Sequence, residues 1–342
     1  MLKILYAASN RKGSALQLNR FLKSIDGEDY VVKIAAFKRS DYATPIDWTL
    51  NALLDITRPH LLKFEDNEML KIYYSQVKSF APDLIISDLE LFTSHIANDL
   101  NIPIWQVSPL LSYIALEDRQ LHLKLHYNYI INKQNHIKQR INNLLFNSDR
   151  CYVYSHFGDL LSPPQLRKGF QWIRPFHVIG KQSDIARHEF VAISPSKNLK
   201  LLNLLNEKSD SVLFTSHFRE YYSRIVLKDI DNVSELSCNL KNCARLISIG
   251  HTDLLADSFY NGKYPLIIPD FTDEESLINS VLSECFGTGS LIYDFSGDLP
   301  EEKELPEVKY NPEIAFLHEK IKEFEKALSI KKRRYIEIKN GE

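Results

Sequence analysis

Two carboxylates stand directly after a short apolar run in the first half of the chain. The run Leu84–Ser87 has the composition of a buried strand, and Asp88 and Glu90 follow it. Carboxylates just beyond a strand end are suited to taking a proton from an acceptor hydroxyl. Two other interpretations stay open: Asp88 caps the next helix while Glu90 pairs with the helix dipole, or the two acids form a metal site.

A second polar group follows an apolar run in the second half of the chain. Strand, glycine-led turn, helix, strand and proline succeed one another between residues 247 and 269, and acids then open another helix. The candidate donor-binding residues here are Gly250, His251, Thr252, Asp257, Glu274 and Glu275. A glycine lets a ligand approach the backbone, and free N–H groups at a helix start bind phosphate. The acids are suited to accept hydrogen bonds from ribose or sugar hydroxyls, so the pattern predicts a sugar-nucleotide site.

Two further turns carry cations. Ser216, His217 and Arg219 follow the run Val212–Thr215, and an arginine at a helix start suits a diphosphate because its fork is bidentate and permanently charged. The alternative is a surface arginine paired with a nearby acid.

The other cationic turn follows the first strand. It contains Asn10, Arg11, Lys12 and Gly13, without either of the glycine-rich phosphate motifs. We expect this turn to line a cleft between two domains and to contact a diphosphate or an acceptor. The alternative is an ordinary solvated turn.

Strand-like and helix-like runs alternate along the whole chain, which is typical of parallel sheets built from βαβ units. The 342 residues exceed one ordinary core. We therefore expect an α/β protein of two Rossmann-like parallel-sheet domains facing across a cleft. The acceptor-binding domain covers 1–180, the nucleotide-sugar domain covers 181–311, and a last helix at 312–334 packs back on the first domain.

Composition excludes several classes of protein. A net charge of −2 argues against a globally nucleic-acid-binding chain. The start of the chain reads as a first strand and not a signal peptide, and the longest apolar run is too short to span a membrane, so we expect a cytoplasmic protein. The four cysteines are scattered, so no disulfide framework or zinc site is predicted.

One segment stands out by charge. No acidic residue lies between Asp118 and Asp149, and Arg119–Arg140 holds five cations and three histidines. This run predicts an anion-facing surface, and the alternative is a solvated helix face.

The second-half motif resembles the MurG-like and macrolide-transferase-like branch of GT-B glycosyltransferases. The positions that match this family's pattern are Gly250, Asp257, Gly262, Lys263, Pro265, Glu275 and Asn279, together with 82–90 and 101–104 in the first half. The chain departs from it by having His251 for a second glycine, Ser276 for a glutamine and an inserted Tyr264. The first loop also lacks the histidine that often serves as the base.

The resemblance implies a GT-B fold, a UDP-linked sugar donor, no cofactor and no bound metal. Because the histidine is missing, we assign the base to Asp88 or Glu90, with His95 as a weaker candidate buried on a helix. The acceptor is unknown. Anionic acceptors expected at Arg119–Arg140 are a lipid head group at the inner membrane face, a glycan or modified DNA.

Three alternative functions remain. One is a UDP-sugar epimerase of GT-B fold, which has no acceptor. Another is a phage-type transferase for hydroxymethylated DNA bases. The third is a non-catalytic sugar-nucleotide-binding protein, suggested by the departures from the family pattern.

Overall fold

The computed structural model describes most of the chain. It covers residues 1–11, 13–37, 45–50, 68–116, 135, 137–139, 141–142, 144–145, 148–177, 179, 233–270, 272–292, 299–300, 303–306 and 311–340. It also describes the backbone of the strands at 190–193, 212–215 and 225–228. The predicted boundary at residue 180 lies outside these residues, so it stays a prediction.

Seven parallel strands form the first sheet. They are β1 (Leu2–Ala7), β2 (Tyr30–Phe37), β3 (Trp48–Leu50), β4 (Leu84–Ser87), β5 (Ile104–Ser108), β6 (Arg150–Tyr154) and β7 (Phe170–Ile173). Their order is β3-β2-β1-β4-β5-β6-β7, so β1 pairs with β2 on one side and with β4 on the other. The direction of connection reverses between β1 and β4. In open parallel sheets, ligands bind beyond the carboxyl ends of the strands at such a reversal.

Six parallel strands form the second sheet. They are β8 (Phe190–Ile193), β9 (Val212–Thr215), β10 (Ile225–Lys228), β11 (Arg245–Ile249), β12 (Pro265–Ile268) and β13 (Ser290–Leu291). The order β10-β9-β8-β11-β12-β13 reverses between β8 and β11. The two sheets confirm the predicted α/β class.

The described residues contain eight α-helices, most of which connect successive strands. They are α1 (Ser14–Ser24), α2 (Glu68–Phe80), α3 (Leu91–Asp99), α4 (Ser112–Ala115), α5 (Val233–Asn242), α6 (Thr252–Tyr260), α7 (Glu274–Cys285) and α8 (Leu317–Asn340). Short 3-10 turns lie at 109–111 and 156–159.

Apolar side chains cover both faces of the first sheet. On one face, Tyr6 packs in a cluster with Leu18 of α1 and Ile321 of α8. On the other face, Ile85 packs in a cluster with Phe92 of α3. The last helix is therefore part of the first sheet's core.

A third apolar cluster joins the two halves of the molecule. Val153 and Phe157 from the first half pack with Phe259 of α6 and with Ile278 and Leu282 of α7. Because the halves share this core, α6 and α7 lie at a fixed position relative to the first sheet.

The predicted start of the last helix at Pro312 is wrong. Asn311 caps a turn instead, with its Oδ1 accepting the backbone N–H of Glu313 at 3.0 Å. The helix begins at Leu317, where Glu319 reaches back to accept the N–H of Phe316 at 2.7 Å. The helix also continues to Asn340 rather than ending at Arg334.

Two isoleucines of α8 give a matched test of its packing. Ile321 is 0% exposed and Ile330 is 45% exposed. We expect Ile321→Ala to lower the free energy of unfolding by about 2–5 kcal/mol because it leaves a cavity against the first sheet. Ile330→Ala should cost less than about 1 kcal/mol. Urea denaturation measures both, and equal losses would show that α8 does not pack on this core.

Candidate functional site

The two groups of predicted residues meet at one place. The turn after β1 and Asp88 after β4 lie at the reversal point of the first sheet. Glu275, at the start of α7, contacts Arg11 in that turn. The structure thus brings together motifs that are far apart in the sequence.

Asp88 is buried, and its two carboxylate oxygens differ in their hydrogen bonds. Its Oδ2 accepts the Ser9 hydroxyl at 2.8 Å and Nη2 of Arg11 at 2.8 Å. Its Oδ1 has no hydrogen-bond partner among the described residues, although Asp88 is only 1% exposed. A buried carboxylate oxygen left in this state is suited to accept a hydrogen from a ligand.

The backbone next to Asp88 is strained. Leu89 has φ of 54°, in the left-handed region that residues with a side chain rarely adopt. Such strain persists only where the surroundings hold it, and it is concentrated at functional sites. Here the conformation separates Asp88, which faces Arg11, from Glu90, which turns to the next helix.

Glu90, and not Asp88, caps that helix. Its side chain accepts the N–H groups of Phe92 at 3.0 Å and Thr93 at 2.7 Å, and also the Thr93 hydroxyl at 2.6 Å. Burial raises the pKa of Glu90, against the opposing effect of these hydrogen bonds. Both oxygens are occupied, so the capping interpretation holds for Glu90 and its assignment as a base is not supported.

His95 is also poorly placed to be the base. It lies on α3, but its side chain is exposed rather than buried. It is not among the residues that line the cavity described below.

Arg11 links the two halves. It pairs with Asp88 and with Glu275, and it donates to Gln17 Oε1 at 2.5 Å. Burial alone would lower the pKa of Arg11, but the two carboxylates outweigh it and raise the pKa. The guanidinium therefore stays charged at any working pH.

Glu275 lies between two helix starts. Its Oε1 accepts the N–H of Thr252, the first residue of α6, at 2.9 Å. Its Oε2 contacts Arg11 and lies so close to Gly13 that a Cβ at that position would overlap it. Gly13 is the N-cap of α1, so one carboxylate stands at the positive ends of α1 and α6.

Gly250 serves the packing of α7. A Cβ at this position would overlap the carbonyl oxygen of Ser276, and the Gly250 N–H donates to Ser276 Oγ at 3.2 Å. Asn279 donates to the Gly250 carbonyl at 2.9 Å and to Thr252 Oγ1 at 2.9 Å. The predicted role of Gly250, close approach of a ligand, is thus replaced by close approach of α7.

His251 pairs with the N-cap of α7. Its Nε2 lies 3.1 Å from Oδ2 of Asp273, whose Oδ1 caps the helix through Glu275 N and Ser276 N. Burial would lower the pKa of His251, but Asp273 and Glu275 outweigh it and raise the pKa. His251, Asp273 and Glu275 place one ligand atom each within 4.8 Å of one another, a spacing at which a metal ion can be held. Arg11 already supplies a positive charge beside Glu275.

Asp257 is not open to a sugar. Arg20 of α1 donates to it at 3.0 and 2.5 Å, and both side chains are fully buried. Arg20 also lies 3.6 Å from Asp253, which accepts the Tyr154 hydroxyl at 2.7 Å. Burial raises the pKa of Asp253 to about 6, against the opposing charge of Arg20. The predicted contact of Asp257 with donor hydroxyls is replaced by an ion pair between the two halves.

A cavity of about 320 Å³ lies beside Asp88. Its lining residues are Ser9, Asn10, Arg11, Asp88, Leu89, Leu110, Ile137, Ile141, Leu144, Thr272, Asp273 and Glu274. One wall is aliphatic, and the other carries three carboxylates and one guanidinium. The turn after β1 therefore lines the space between the halves.

Several predicted positions cannot be placed. Lys12, Ser216, His217 and Arg219 lie outside the described residues, and so does most of Arg119–Arg140. Their roles stay predictions.

The comparisons with known proteins concern the fold. No family model matches the sequence, and no curated protein matches it. Among solved structures, the chain is similar to the spinosyn forosaminyltransferase SpnP, with 14% identity, 85% of each chain covered and a TM-score of 0.54. The glycosyltransferase SsfS6 of Streptomyces sp. SF2575, complexed with thymidine diphosphate, gives 14% identity, 85% and 88% coverage and a TM-score of 0.55.

A third solved structure is similar to this chain to the same degree. Phytolacca americana UGT2, complexed with UDP-2fluoro-glucose and pterostilbene, gives 13% identity, 85% coverage of both chains and a TM-score of 0.55. The chain has a GT-B fold. The GT-B fold places two parallel sheets on either side of the site described above. Among the helices that the structure describes, none is both long and apolar enough to cross a membrane.

The Arg20–Asp257 pair generates a stability prediction. Arg20→Met leaves a carboxylate buried without its counter-charge, and we expect the free energy of unfolding to fall by about 3–5 kcal/mol. Lys33→Met, which breaks the more exposed 2.5 Å pair with Asp47, should cost less than about 1 kcal/mol. Urea denaturation measures the free energy of unfolding of both variants. A loss below about 1 kcal/mol for Arg20→Met would show that the Arg20–Asp257 pair does not stabilise the fold.

His156 generates a pH prediction. It is buried against Phe157 and Phe259, and burial lowers its pKa to about 3, with Asp159 opposing. The folded state therefore binds fewer protons than the unfolded state between about pH 3 and 6.5, so stability falls as the pH falls through this window. Between pH 6.5 and 5 this group alone should cost about 2 kcal/mol.

His156→Phe should remove that contribution while keeping an aromatic ring among its neighbours. Thermal or chemical unfolding followed from pH 7 to 5 measures the difference in slope between the variant and the unmodified protein. Parallel curves would show that His156 does not stay neutral in the folded state.

Proposed function

We propose that this protein is a glycosyltransferase that moves a sugar from a nucleotide sugar to a hydroxyl group of an apolar acceptor, with Asp88 as the general base. The observation that carries the proposal concerns Asp88, which lines a cavity between the two halves and whose Oδ1 has no hydrogen-bond partner among the residues that the structure describes. The GT-B fold supports it, because the similar solved structures include glycosyltransferases complexed with thymidine diphosphate and with UDP-2fluoro-glucose.

The lining of the cavity favours an apolar acceptor. Leu89, Leu110, Ile137, Ile141 and Leu144 form one wall. Pockets for small molecules have this character, mostly apolar with a few placed polar groups. The three carboxylates and the single guanidinium on the other wall disfavour a further anionic group on the acceptor, beside the diphosphate of the donor. The acceptor proposed here is therefore a small apolar molecule with one reactive hydroxyl, in place of the anionic acceptors expected from the sequence.

The reaction proceeds by displacement at the anomeric carbon of the sugar. Oδ1 of Asp88 accepts the proton of the acceptor hydroxyl, and the acceptor oxygen forms a bond to the anomeric carbon. The bond from that carbon to the diphosphate breaks, and its electron pair leaves with the nucleoside diphosphate. In this proposal the Arg11 guanidinium and the Thr252 N–H, after Glu275 releases it, stabilise the charge that develops there.

Arg11 has a second part in this arrangement. It holds Oδ2 of Asp88 together with Ser9, which leaves Oδ1 as the oxygen that accepts the proton. A carboxylate fixed by two donors on one oxygen presents the other in a defined direction. The nucleotide is proposed as UDP or dTDP, and the donor acts as a co-substrate with no further cofactor proposed.

The cavity favours transfer over epimerisation. An epimerase has no acceptor to accommodate, whereas this cavity extends from Asp88 along an aliphatic wall. Incubation with a UDP-sugar and a panel of phenols should release UDP with formation of a glycoside. Appearance of an isomeric UDP-sugar instead would reject the transferase in favour of the epimerase.

Asp88 and Glu90 give a matched pair of variants for the base assignment. Asp88→Asn should lower the rate of glycoside formation by about 10²–10⁴-fold, because the amide cannot accept the proton. Glu90→Gln should keep the rate within a small factor and lower the free energy of unfolding by about 1 kcal/mol through the weakened cap. Turnover assays and urea denaturation separate the two, and an unchanged rate in Asp88→Asn would remove Asp88 as the base.

A further inference from the structure

The Glu275 carboxylate occupies a position at the interface between the two halves that is suited to binding an anion. Glu275 is 1% exposed. Its Oε1 accepts the Thr252 N–H at 2.9 Å, and its Oε2 pairs with Arg11. A single carboxylate thus supplies the negative charge for the start of α6 and for a buried guanidinium.

Neither helix start is capped by the side chain of its N-cap residue. The N-cap of α1 is Gly13, and the first turn of that helix has no acidic residue. The N-cap of α6 is His251, and the acid in its first turn, Asp253, accepts the Tyr154 hydroxyl and lies 3.6 Å from Arg20. Helix starts carry a partial positive charge, and phosphate and carboxylate groups are bound there for the same reason.

A separate observation places a cavity beside Arg11, the partner of this carboxylate. Arg11 connects Glu275 to Asp88, and the buried Oδ1 of Asp88 has no partner within the described parts of the chain. The cavity reaches both Arg11 and Asp88. A sugar that reacts beside Asp88 would therefore carry its diphosphate towards Arg11 and Thr252, where Glu275 now lies.

We propose that Glu275 is an internal occupant of the diphosphate site, and that the donor binds by displacing its carboxylate from Thr252 and Arg11. This inference rests on the proposed function. In the structure described here the site is closed, with the Glu275 carboxylate standing in for a phosphate. On donor binding the Thr252 N–H and the Arg11 guanidinium exchange one anion for another, and Arg11 keeps its contact with Asp88.

If Glu275 is displaced by the donor, its charge changes the affinity for a diphosphate in a predictable direction. A carboxylate that competes with the diphosphate weakens its binding, so removing the charge should strengthen the binding. A carboxylate that instead binds the sugar hydroxyls of the donor has no effect on a ligand without that sugar. Inorganic pyrophosphate and UDP, neither of which carries the transferred sugar, therefore distinguish the two roles.

The test is isothermal titration calorimetry of the full chain with inorganic pyrophosphate and with UDP. Glu275→Gln should bind both about tenfold more tightly or better, because a like charge beside the ligand is removed. Glu284→Gln, the same change at the exposed end of α7, should bind both like the unmodified protein. Unchanged or weaker affinity in Glu275→Gln overturns the proposal.

A second variant covers the case in which Glu275→Gln does not fold. Glu275→Asp keeps the charge but shortens the side chain by one methylene, so it should loosen the contact with Thr252 and raise the pyrophosphate affinity by a smaller factor. Affinity equal to or below that of the unmodified protein in this variant also overturns the proposal.

The outcomes separate this inference from the transferase function. Glycoside formation by the unmodified protein, together with unchanged pyrophosphate affinity in Glu275→Gln, rejects the displacement and keeps the transferase. Tighter pyrophosphate binding in Glu275→Gln, without release of UDP or dTDP from any nucleotide sugar in the unmodified protein, rejects the transferase and supports the internal anion.

Discussion

The Arg11 guanidinium stands between Asp88 of the first half and Glu275 of the second. Its side chain is 5% exposed, and both carboxylates that it contacts are buried. Burying a charge without a partner costs several kcal/mol, so the guanidinium and the two carboxylates stabilise one another in this position. These contacts join the start of α7 to the turn after β1, within the interface that the shared apolar core holds in place.

A second arginine, Arg20 of α1, repeats the arrangement in the same polar interface. Arg20 balances Asp257 and lies close to Asp253, so the charges of α6 are matched by α1. Around these pairs the apolar cluster with Phe157 and Phe259 holds the halves together by burial. The ion pairs set the register of the interface and the apolar contacts supply the larger part of its stability.

The sequence predicts the strand ends well because they depend on local pattern. The apolar run before Asp88 becomes β4, and the glycine-led turn at Gly250 becomes the connection between β11 and α6. What the pattern does not contain is the partner of each polar group, since that partner comes from the other half of the chain. Asp257 is an example: its spacing is that of a ligand-binding acid, but Arg20 lies against it.

The local backbone conformation explains why the sequence pattern does not distinguish the roles of Asp88 and Glu90. Asp88 and Glu90 are two residues apart and chemically alike, and only the left-handed backbone at Leu89 sends one to Arg11 and the other to the helix start. Arg20 had no signal of its own, because one arginine on a helix usually reads as a solvated side chain. The sequence predicts that Gly250 allows a close approach, and the group that approaches it is the chain's own helix α7, while the group that approaches Gly13 is the Glu275 carboxylate.

The central claim is that the interface between the two halves is the place where donor and acceptor meet. A crystal structure with a non-transferable UDP-sugar tests it most directly. The account predicts the diphosphate at the Thr252 N–H and Arg11, the Glu275 carboxylate displaced, and the sugar in the cavity beside Asp88. A nucleotide bound elsewhere on the molecule, with Glu275 still on Thr252 and the cavity empty, would contradict it.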